Sequence, residues 1–427
     1  MAFDELEQHV CEKIERRRDA LLEDLRLHVD LPTGGGAGNS AALDETRERL
    51  CARLRAMGAT CELVPGEPRP DWLYKGEDGG VSGGAASHPI PPTAVCRIGD
   101  WSSTARRDNG GGRPIMVSGH LDTVHDPRGA FRELVVSADG NRAVGPGCVD
   151  MKGGLVIAMA AMEALAECNA LPRMSVVLNS DEETGSYHSA KAIVDEAARV
   201  AAAGGVGLAL EPAASDGGLV VERAGSAQFI IEAFGRAAHV GRDFTSGVSA
   251  VNALAHAIVR VSAMPRPAEG VVLNIGPIRG GKTTNSVADH ACAWGNARFP
   301  SSVAWTEIEQ RLKELERDVG VVGATIKVRT SLARPAKPLT PETQKLAEVA
   351  RAVSQELGMA LPFGKTGGVC DGNLMQAAGL PTIDTVGVKG GGLHTTDEWI
   401  DLTSLVTRCQ MLAVVMMRVG ANGVDRD

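Results

Sequence analysis

Aromatic side chains and positive charge are both scarce in this sequence of 427 residues. Phe, Trp and Tyr make up 3% of the chain, and 44 basic residues stand against 53 acidic ones, which gives a net charge of −9. Proteins that bind nucleic acid usually present clustered lysine and arginine to the phosphates. The charge balance therefore argues against a nucleic-acid partner.

The nine cysteines form no CxxC pair, and their number is odd. This spacing argues against a disulfide framework and favours a reducing compartment, in which thiols pack as small apolar groups. The sequence also shows no apolar run of the ~18 residues that a membrane span needs, and its acidic start does not look like a signal peptide. We therefore expect a cytoplasmic protein with no membrane contact.

Glycine, in contrast, is plentiful, and its 51 residues predict many tight turns. A stretch rich in Gly, Ser and Pro, from Gly76 to Gly112, is predicted to be a surface loop that a short strand at Ala94–Ile98 interrupts. Near the N-terminus, apolar residues at helical spacing predict one helix from Phe3 to about Val29.

Four short apolar segments each lead into polar residues: 114–119, 174–180, 206–210 and 381–388. A helical apolar stripe that begins at Leu155 lies between the first two. This alternation predicts an α/β fold with a mostly parallel sheet and helices on both faces. Ligands in such folds bind beyond the carboxyl ends of the strands, which is where the chemically capable side chains of this sequence lie.

The order of predicted elements changes between residues 225 and 332 to strand, helix, strand, strand, helix, strand, which is that of a ferredoxin-like unit. The α/β pattern resumes after it. We therefore predict a catalytic domain in two parts, 1–224 and 333–427, with a ferredoxin-like domain, 225–332, inserted between them.

Histidine and carboxylate side chains follow the predicted strands. After the first strand, a neutral His120 can bind a metal ion while Asp122 holds its other ring nitrogen. Asp150 lies in a glycine-rich turn, where it can cap the next helix or bridge two cations. The run Asp181 to Glu183 is either an exposed acidic turn or a metal ligand beside a general base.

Glu211 and His394 complete this set of strand-end positions. Each pattern alone also has an ordinary explanation, such as a surface histidine or a helix cap. Together they offer two histidines and at least three carboxylates, a mixed nitrogen and oxygen set that suits a dinuclear zinc site best.

Six motifs occur in a fixed order along the chain: GHLDTV, GPGCVDMKGG, SDEETGS, LEPA, GRAAHVG and GGLHTTDE. With these motifs, the sequence resembles, from about Ile115 to the C-terminus, the dinuclear zinc amidohydrolases that include glutamate carboxypeptidase, acetylornithine deacetylase and succinyl-diaminopimelate desuccinylase. The glutamate carboxypeptidase branch is the most similar. The resemblance implies hydrolysis of an amide or peptide bond next to a free carboxylate, or else an N-acyl-amino-acid deacylase or dipeptidase activity. The implied substrate is a small peptide or an N-acyl amino acid.

The resemblance also implies the cofactor and its ligands. Two Zn²⁺ ions are expected per chain, with Co²⁺ or Mn²⁺ as possible replacements. By this resemblance, His120 and Glu211 hold one ion, Glu183 and His394 hold the other, and Asp150 bridges them.

The remaining site residues follow from the same resemblance. Asp122 is expected to orient His120, Glu182 to act as the general base, and His239 to stabilise the tetrahedral intermediate, often from the partner subunit. The residues expected near the substrate are Arg298, Asn285, Gly391 and Gly392. The inserted domain is expected to act as a lid and to form the contact of a homodimer. The long loop at 76–112 has no counterpart in the family pattern.

Two other interpretations need to be weighed. Residues Gly276–Thr283 match the P-loop pattern GxxxxGK[ST], but a P-loop must open a helix, and residues 284–299 favour a turn and a strand. A non-catalytic member of the family would have lost a ligand or the base, whereas all five ligands and Glu182 are present. Both interpretations are therefore weaker than the hydrolase.

Overall fold

A computed structural model of the chain describes residues 3–34, 40–74, 90–101 and 112–422. Most of the predicted loop at 76–112 therefore lies outside the described residues. The helices are α1 (Glu5–Glu15), α2 (Arg18–Val29), α3 (Ser40–Ala56), α4 (Gly153–Glu167), α5 (Ala190–Ala202), α6 (Ala250–Ser262), α7 (Ser302–Glu314), α8 (Pro341–Glu356), α9 (Asp371–Ala377) and α10 (Thr403–Asn422).

The strands are β1 (Thr60–Val64), β2 (Thr93–Ile98), β3 (Ile115–His120), β4 (Val135–Val136), β5 (Arg142–Val144), β6 (Met174–Asn179), β7 (Val206–Ala209), β8 (Leu219–Arg223), β9 (Gly225–Phe234), β10 (Val272–Gly280), β11 (His290–Phe299), β12 (Thr325–Arg334), β13 (Phe363–Thr366), β14 (Thr382–Ile383), β15 (Gly390–Gly391) and β16 (Trp399–Asp401). They form a six-stranded sheet, two four-stranded sheets and one parallel pair, β13 with β8.

The six-stranded sheet has the order β1-β2-β6-β3-β7-β14. Strand β3 runs parallel to β6 and β7, and β14 runs parallel to β7, whereas β2 is antiparallel to both of its neighbours. The predicted α/β fold is confirmed, and the central strands of the sheet are parallel.

Helices cover both faces of this sheet, which explains why its central strands β3, β6 and β7 are buried along their whole length. All six residues of β3 are buried. Ile115 and Val117 pack into the larger core with α1, α2, α4 and α10, while Met116 between them packs on the other face with α5 and α9. Helix α4 approaches the sheet closely at Gly154, where an added Cβ would lie 2.4 Å from the carbonyl oxygen of Leu210.

Residues 225–334 build a separate antiparallel sheet of order β10-β11-β9-β12. Helices α6 and α7 pack on it and share its own hydrophobic core, which contains Phe229, Leu254 and Trp305. The element order is strand, helix, strand, strand, helix, strand. The last strand continues to Arg334, two residues past the domain boundary predicted at 332, and the domain boundaries themselves stay predictions.

Two predicted elements differ from the structure. The single helix predicted for residues 3–29 is wrong, because the chain breaks at Arg17 (φ −96°, ψ 9°) and forms α1 and α2 instead. The apolar run at 381–388 contributes only two residues to the sheet. It leaves the extended conformation at Thr385 (φ 59°), next to Asp384, whose fully buried carboxylate accepts a hydrogen bond from Arg223.

Helix α10 also corrects the expectation about apolar runs. Over Thr403–Ala421 it is long and apolar enough to cross a membrane by composition, so the expectation that no such run exists is wrong. Most of this window is buried, and α10 packs against α1, α4 and α8. A core helix therefore accounts for the apolar run.

The P-loop-like segment does not have the geometry of a phosphate-binding loop. Its first residues, Gly276 to Gly280, belong to β10, and the chain then turns at Gly281 (φ 72°) and returns as β11. No helix begins within the described residues 281–299. The nucleotide-binding interpretation therefore lacks the helix N-terminus that it requires.

Candidate dinuclear metal centre

The histidine and carboxylate side chains predicted as ligands meet beyond the carboxyl ends of β3, β6 and β7. They form two groups, His120 with Asp150 and Glu211, and Asp150 with Glu183 and His394. Within each group, the candidate ligand atoms all lie within 4.8 Å of one another. Asp150 belongs to both groups, as the sequence predicts for a bridging ligand.

The two carboxylate oxygens of Asp150 face different imidazoles. Oδ1 lies 3.2 Å from Nε2 of His120, and Oδ2 lies 3.5 Å from Nε2 of His394. The same nitrogen of His394 lies 3.3 Å from Oε2 of Glu183. A carboxylate placed in this way between two groups of donors can be shared by two cations.

The electrostatics of this cluster favour added positive charge. Burial raises the pKa of Glu211 well above its ordinary value, and it also raises that of Glu183. The carboxylates of Asp150 and Glu183 raise the pKa of His394 to about 10. In addition, Oε1 of Glu183 is buried without a hydrogen-bond partner. Buried acidic groups of this kind need cations, so the residues fit two metal ions.

Asp122 is buried next to His120 and forms hydrogen bonds with the turn that follows β6. Its carboxylate accepts hydrogen bonds from the backbone N–H groups of Glu182, at 3.2 Å, and Glu183, at 3.0 Å. Nδ1 of His120 lies 2.9 Å from the backbone oxygen of Asp122 and 3.5 Å from its carboxylate. Asp122 therefore contacts both the first histidine and the acidic turn, and its orienting role stays a prediction.

Glu398 shapes the Asp150 turn, a role that the sequence analysis did not predict. Its buried carboxylate accepts hydrogen bonds from three backbone N–H groups, those of Gly147, Val149 and Asp150, at 2.8–3.0 Å. Nε2 of His125 lies 2.6 Å from the same carboxylate. The acidic end of the GGLHTTDE motif marks its position, but only the folded chain shows what it holds.

Glu182 lies beside the ligand cluster and next to Arg334, which belongs to none of the six motifs. Burial raises the pKa of Glu182 to about 8, against the opposing effect of the Arg334 guanidinium. Nη2 of Arg334 lies 3.1 Å from Oε1 of Glu182 and 3.0 Å from Oδ1 of Asp371. The other hydrogen bonds of this buried guanidinium go to the hydroxyl of Ser186 and to the carbonyls of Ala333, Gly185 and Cys370.

His239 and Asn285 lie together in the loops that follow β9 and β10, rather than in the ligand cluster. His239 is exposed after β9, and its backbone forms a bridge with Ser286. The backbone oxygen of Asn285 accepts a hydrogen bond from Val240 at 3.0 Å. Among the described contacts, none joins these two residues to the candidate ligands. Their predicted roles stay predictions.

Arg298 is half-buried on β11 and has only neutral partners in the described part of the chain. Its guanidinium donates to the hydroxyl of Ser226, the side-chain oxygen of Asn296 and the carbonyl of Ala297. Burial lowers its pKa from the ordinary arginine value. A desolvated guanidinium without an acidic partner is a suitable place for an incoming carboxylate.

Gly391 and Gly392 form the turn that presents His394. Gly391 pairs with Trp399 in the β15–β16 ladder, and Gly392 follows it with a φ of 69°. A Cβ at Gly392 would lie 2.4 Å from the carbonyl oxygen of Asp397, so only glycine fits there. His394 itself has a φ of 63° and remains partly exposed.

The amino-acid sequence that forms this fold and site matches a known protein family. The model of peptidase family M20/M25/M40 matches residues 116–418, more than half of the chain. The chain belongs to peptidase family M20/M25/M40. It is therefore an enzyme, a metallopeptidase or amidohydrolase, and the resemblance seen in the six motifs is confirmed.

Individual relatives in the M20 family support this assignment. Carboxypeptidase G2 of Pseudomonas sp. (strain RS-16) is 27% identical over 316 residues, which cover 73% of this chain and 75% of the relative. The crystal structure of aminopeptidase PepT from Bacillus cereus superposes with a TM-score of 0.70 at 21% identity, over 94% of this chain and 98% of that one.

A further M20 structure concerns the metal centre. The YXEP protein of Bacillus subtilis, described as a dinuclear metal binding peptidase, superposes with a TM-score of 0.63 at 14% identity, over 96% of this chain and 99% of that one. At such identities the structural likeness shows the shared M20 fold. The roles of individual site residues in this chain stay predictions.

Proposed function

We propose that this M20 enzyme is a zinc carboxypeptidase of the glutamate carboxypeptidase type, which hydrolyses an amide bond next to a free carboxylate. The observation that carries the proposal is Arg298, a half-buried guanidinium with neutral partners only in the described structure. The similarity to carboxypeptidase G2 supports the same substrate class. N-acyl-amino-acid deacylase and dipeptidase activities are the alternatives that the substrate test separates.

We propose that the metal ions are held by the two groups described above, with Asp150 shared between them. Imidazole nitrogen and carboxylate oxygen suit Zn²⁺, and Co²⁺ or Mn²⁺ are reasonable replacements. When bound, the two ions supply Lewis acidity that activates a water molecule and polarises the scissile carbonyl.

The side chains of this chain perform the remaining steps of the proposed reaction. Glu182 accepts the proton from the attacking water and passes it to the leaving amine. His239 donates a hydrogen bond to the developing oxyanion, and Arg298 holds the substrate carboxylate. Asn285, Gly391 and Gly392 line the substrate site in this proposal, which extends to small peptides and N-acyl amino acids.

Blocking the substrate carboxylate is expected to lower kcat/KM by about 10- to 150-fold, because a charged hydrogen bond contributes about 1.5–3 kcal/mol. The test compares N-acyl glutamates and short peptides that have a free carboxylate with the matching C-terminal amides. Arg298→Ala should cause a similar loss on free-carboxylate substrates and little further loss on amides.

The outcomes of this substrate test separate the candidate activities. Equal turnover of acids and amides by the wild type would contradict the carboxylate proposal. A requirement for a free α-amino group, without one for the carboxylate, would favour an aminopeptidase or dipeptidase. Arg260→Ala is a suitable control, because Arg260 lies on α6 beside the exposed Asp318.

We propose that the chain forms a homodimer through the four-stranded sheet of residues 225–334. Strand β10 is an edge of that sheet and exposes Val272 and Ile278, while the neighbouring helix α6 exposes Val251 and Val259. An exposed apolar edge strand is well suited to pair with a second copy.

The dimer proposal predicts a particle of twice the 44.6 kDa chain mass in analytical ultracentrifugation. Ile278→Lys should shift the protein towards monomer, because it places a charge on the proposed contact, whereas Val303→Lys on α7 is the matched exposed control. A wild-type monomer at micromolar concentration would contradict the proposal. A fully active Ile278→Lys monomer would mean that His239 acts within its own subunit.

A further inference from the structure

Three cysteines converge at the β1 edge of the six-stranded sheet, away from the carboxylates and histidines described above. Cys51 lies on α3, and Cys61 and Cys96 face each other across the antiparallel β1–β2 pair. The three sulfur atoms all lie within 4.8 Å of one another. The chain has nine cysteines, and within the described residues this is the one group of three whose thiols are close enough to share a metal ion.

The spacing of these sulfurs suits a metal ion. Sγ of Cys51 lies 3.7 Å from Sγ of Cys96. Zinc–sulfur bonds of about 2.3 Å in a tetrahedral site place neighbouring sulfurs about 3.8 Å apart. Two thiols in simple contact have nearly the same spacing, so the convergence of the third thiol, Cys61, carries the argument. A disulfide would require a shorter separation of about 2.0 Å.

The surroundings of the thiols leave the cluster accessible from one side. Cys51 and Cys96 are fully buried, whereas Cys61 is half-buried and gives the cluster a route to solvent. The hydrogen bond with Cys96 lowers the pKa of the Cys51 thiol to about 7, and the nearby Arg55 acts in the same direction against burial. The same hydrogen bond raises the pKa of Cys96, and burial raises that of Cys61, so a bound ion would have to displace the protons of these two thiols. Thiolates are the form that binds soft metal ions.

We propose that Cys51, Cys61 and Cys96 bind one thiophilic metal ion of the Zn²⁺ type through their three sulfur atoms, with a water molecule as the fourth ligand. Binding converts three thiols to thiolates and releases their protons to solvent, with no change of oxidation state. The ion joins α3 to the β1–β2 edge. It therefore stabilises the fold without entering the hydrolytic reaction.

Titration of the reduced, zinc-loaded enzyme with Cd²⁺ tests this site, because thiolate–cadmium bonds absorb in the ultraviolet. The candidate dinuclear centre contributes only imidazole and carboxylate ligands, so cadmium exchange there gives no such band. The wild type should develop the band to a stoichiometry of one ion per chain. Its Tm should rise with the Cd²⁺ concentration, because the ion binds the folded state.

Cys61→Ala should abolish this stoichiometric band while leaving peptidase activity unchanged, because the half-buried side chain tolerates truncation. Cys168→Ala is the matched control, because Cys168 is also half-buried but lies at the end of α4, outside the cluster. The proposal is overturned if reduced wild type shows no thiolate–cadmium band, or if Cys61→Ala shows the same band as wild type. It is equally overturned if oxidation joins Cys51 to Cys96 while the reduced protein fails to bind Cd²⁺.

Discussion

Replacing Glu182 with glutamine is expected to lower kcat by about 10²- to 10⁴-fold while the protein keeps its metal ions, because general base catalysis contributes a factor of that size. Glutamine preserves the shape of the side chain but cannot take up the proton of the attacking water. The backbone N–H of residue 182 keeps its hydrogen bond to Asp122, so the turn itself should persist. Turnover of the best substrate and metal content by elemental mass spectrometry are the two measurements.

Glu183→Gln is the matched comparison for this experiment, since it changes the next residue in the same turn. Oε2 of Glu183 lies 3.3 Å from His394, within one of the two candidate ligand groups, so this variant should lose metal as well as activity. The base assignment fails if Glu182→Gln stays within tenfold of wild-type turnover. It also fails if Glu182→Gln loses as much metal as Glu183→Gln, because Glu182 would then act as a ligand.

The parts of the site that could be predicted from sequence are those with a local signature. His120 ends a strand, Asp150 lies in a glycine-rich turn, and Glu183 belongs to an acidic run that follows another strand. Parallel strands place these ends at one edge of the sheet, so their convergence follows from the fold class. The order of the motifs supplied the rest of the ligand set.

The residues that sequence reasoning missed act through contacts that are distant along the chain. Glu398 holds the backbone of Asp150 across 248 residues, and Arg334 reaches Glu182 across 152. The neighbouring residues in the sequence do not distinguish a buried arginine at the end of a strand from an exposed one. Only packing reveals that it is surrounded by carboxylates and carbonyls.

The early end of the strand predicted at 381–388 could not be predicted for a related reason. Asp384 and Thr385 lie in an apolar run that suits a strand, yet tertiary contacts override that tendency. The buried Asp384 pairs with Arg223 and lies 3.2 Å from Lys337, both distant in sequence. The strand ends at Ile383 as the chain turns to satisfy this buried charge.

Arg334→Met is expected to lower kcat by about 10²-fold with little change in KM, because the guanidinium holds the proposed base in position and a small misplacement can cost that much. Arg334 is almost completely buried and lies between the carboxylates of Glu182 and Asp371. Removing it leaves these groups without their cation, which also costs about 3–5 kcal/mol of stability. Steady-state kinetics and thermal unfolding measure the two effects.

The pH profile separates positioning from a merely structural role. The Arg334 guanidinium lowers the pKa of Glu182 against burial, so its loss should raise that pKa. Since the base acts in its deprotonated form, the acidic limb of kcat should move to higher pH in Arg334→Met. Arg334→Lys keeps the charge and should move the limb back, although one ammonium cannot replace the several directed hydrogen bonds of the guanidinium.

Arg329→Met is the control for this series, because Arg329 lies on the same strand in a partly exposed pair with Glu232. It should change neither kcat nor the pH profile. If Arg334→Met and Arg334→Lys fold, lose activity and keep the wild-type profile, then Arg334 supports only the junction between β12 and the acidic turn. A different result would support the positioning role: Arg334→Met shifts the acidic limb of kcat, and Arg334→Lys shifts it back. Arg334, the last residue of β12, would then control the protonation state of Glu182 from 152 residues away in the sequence.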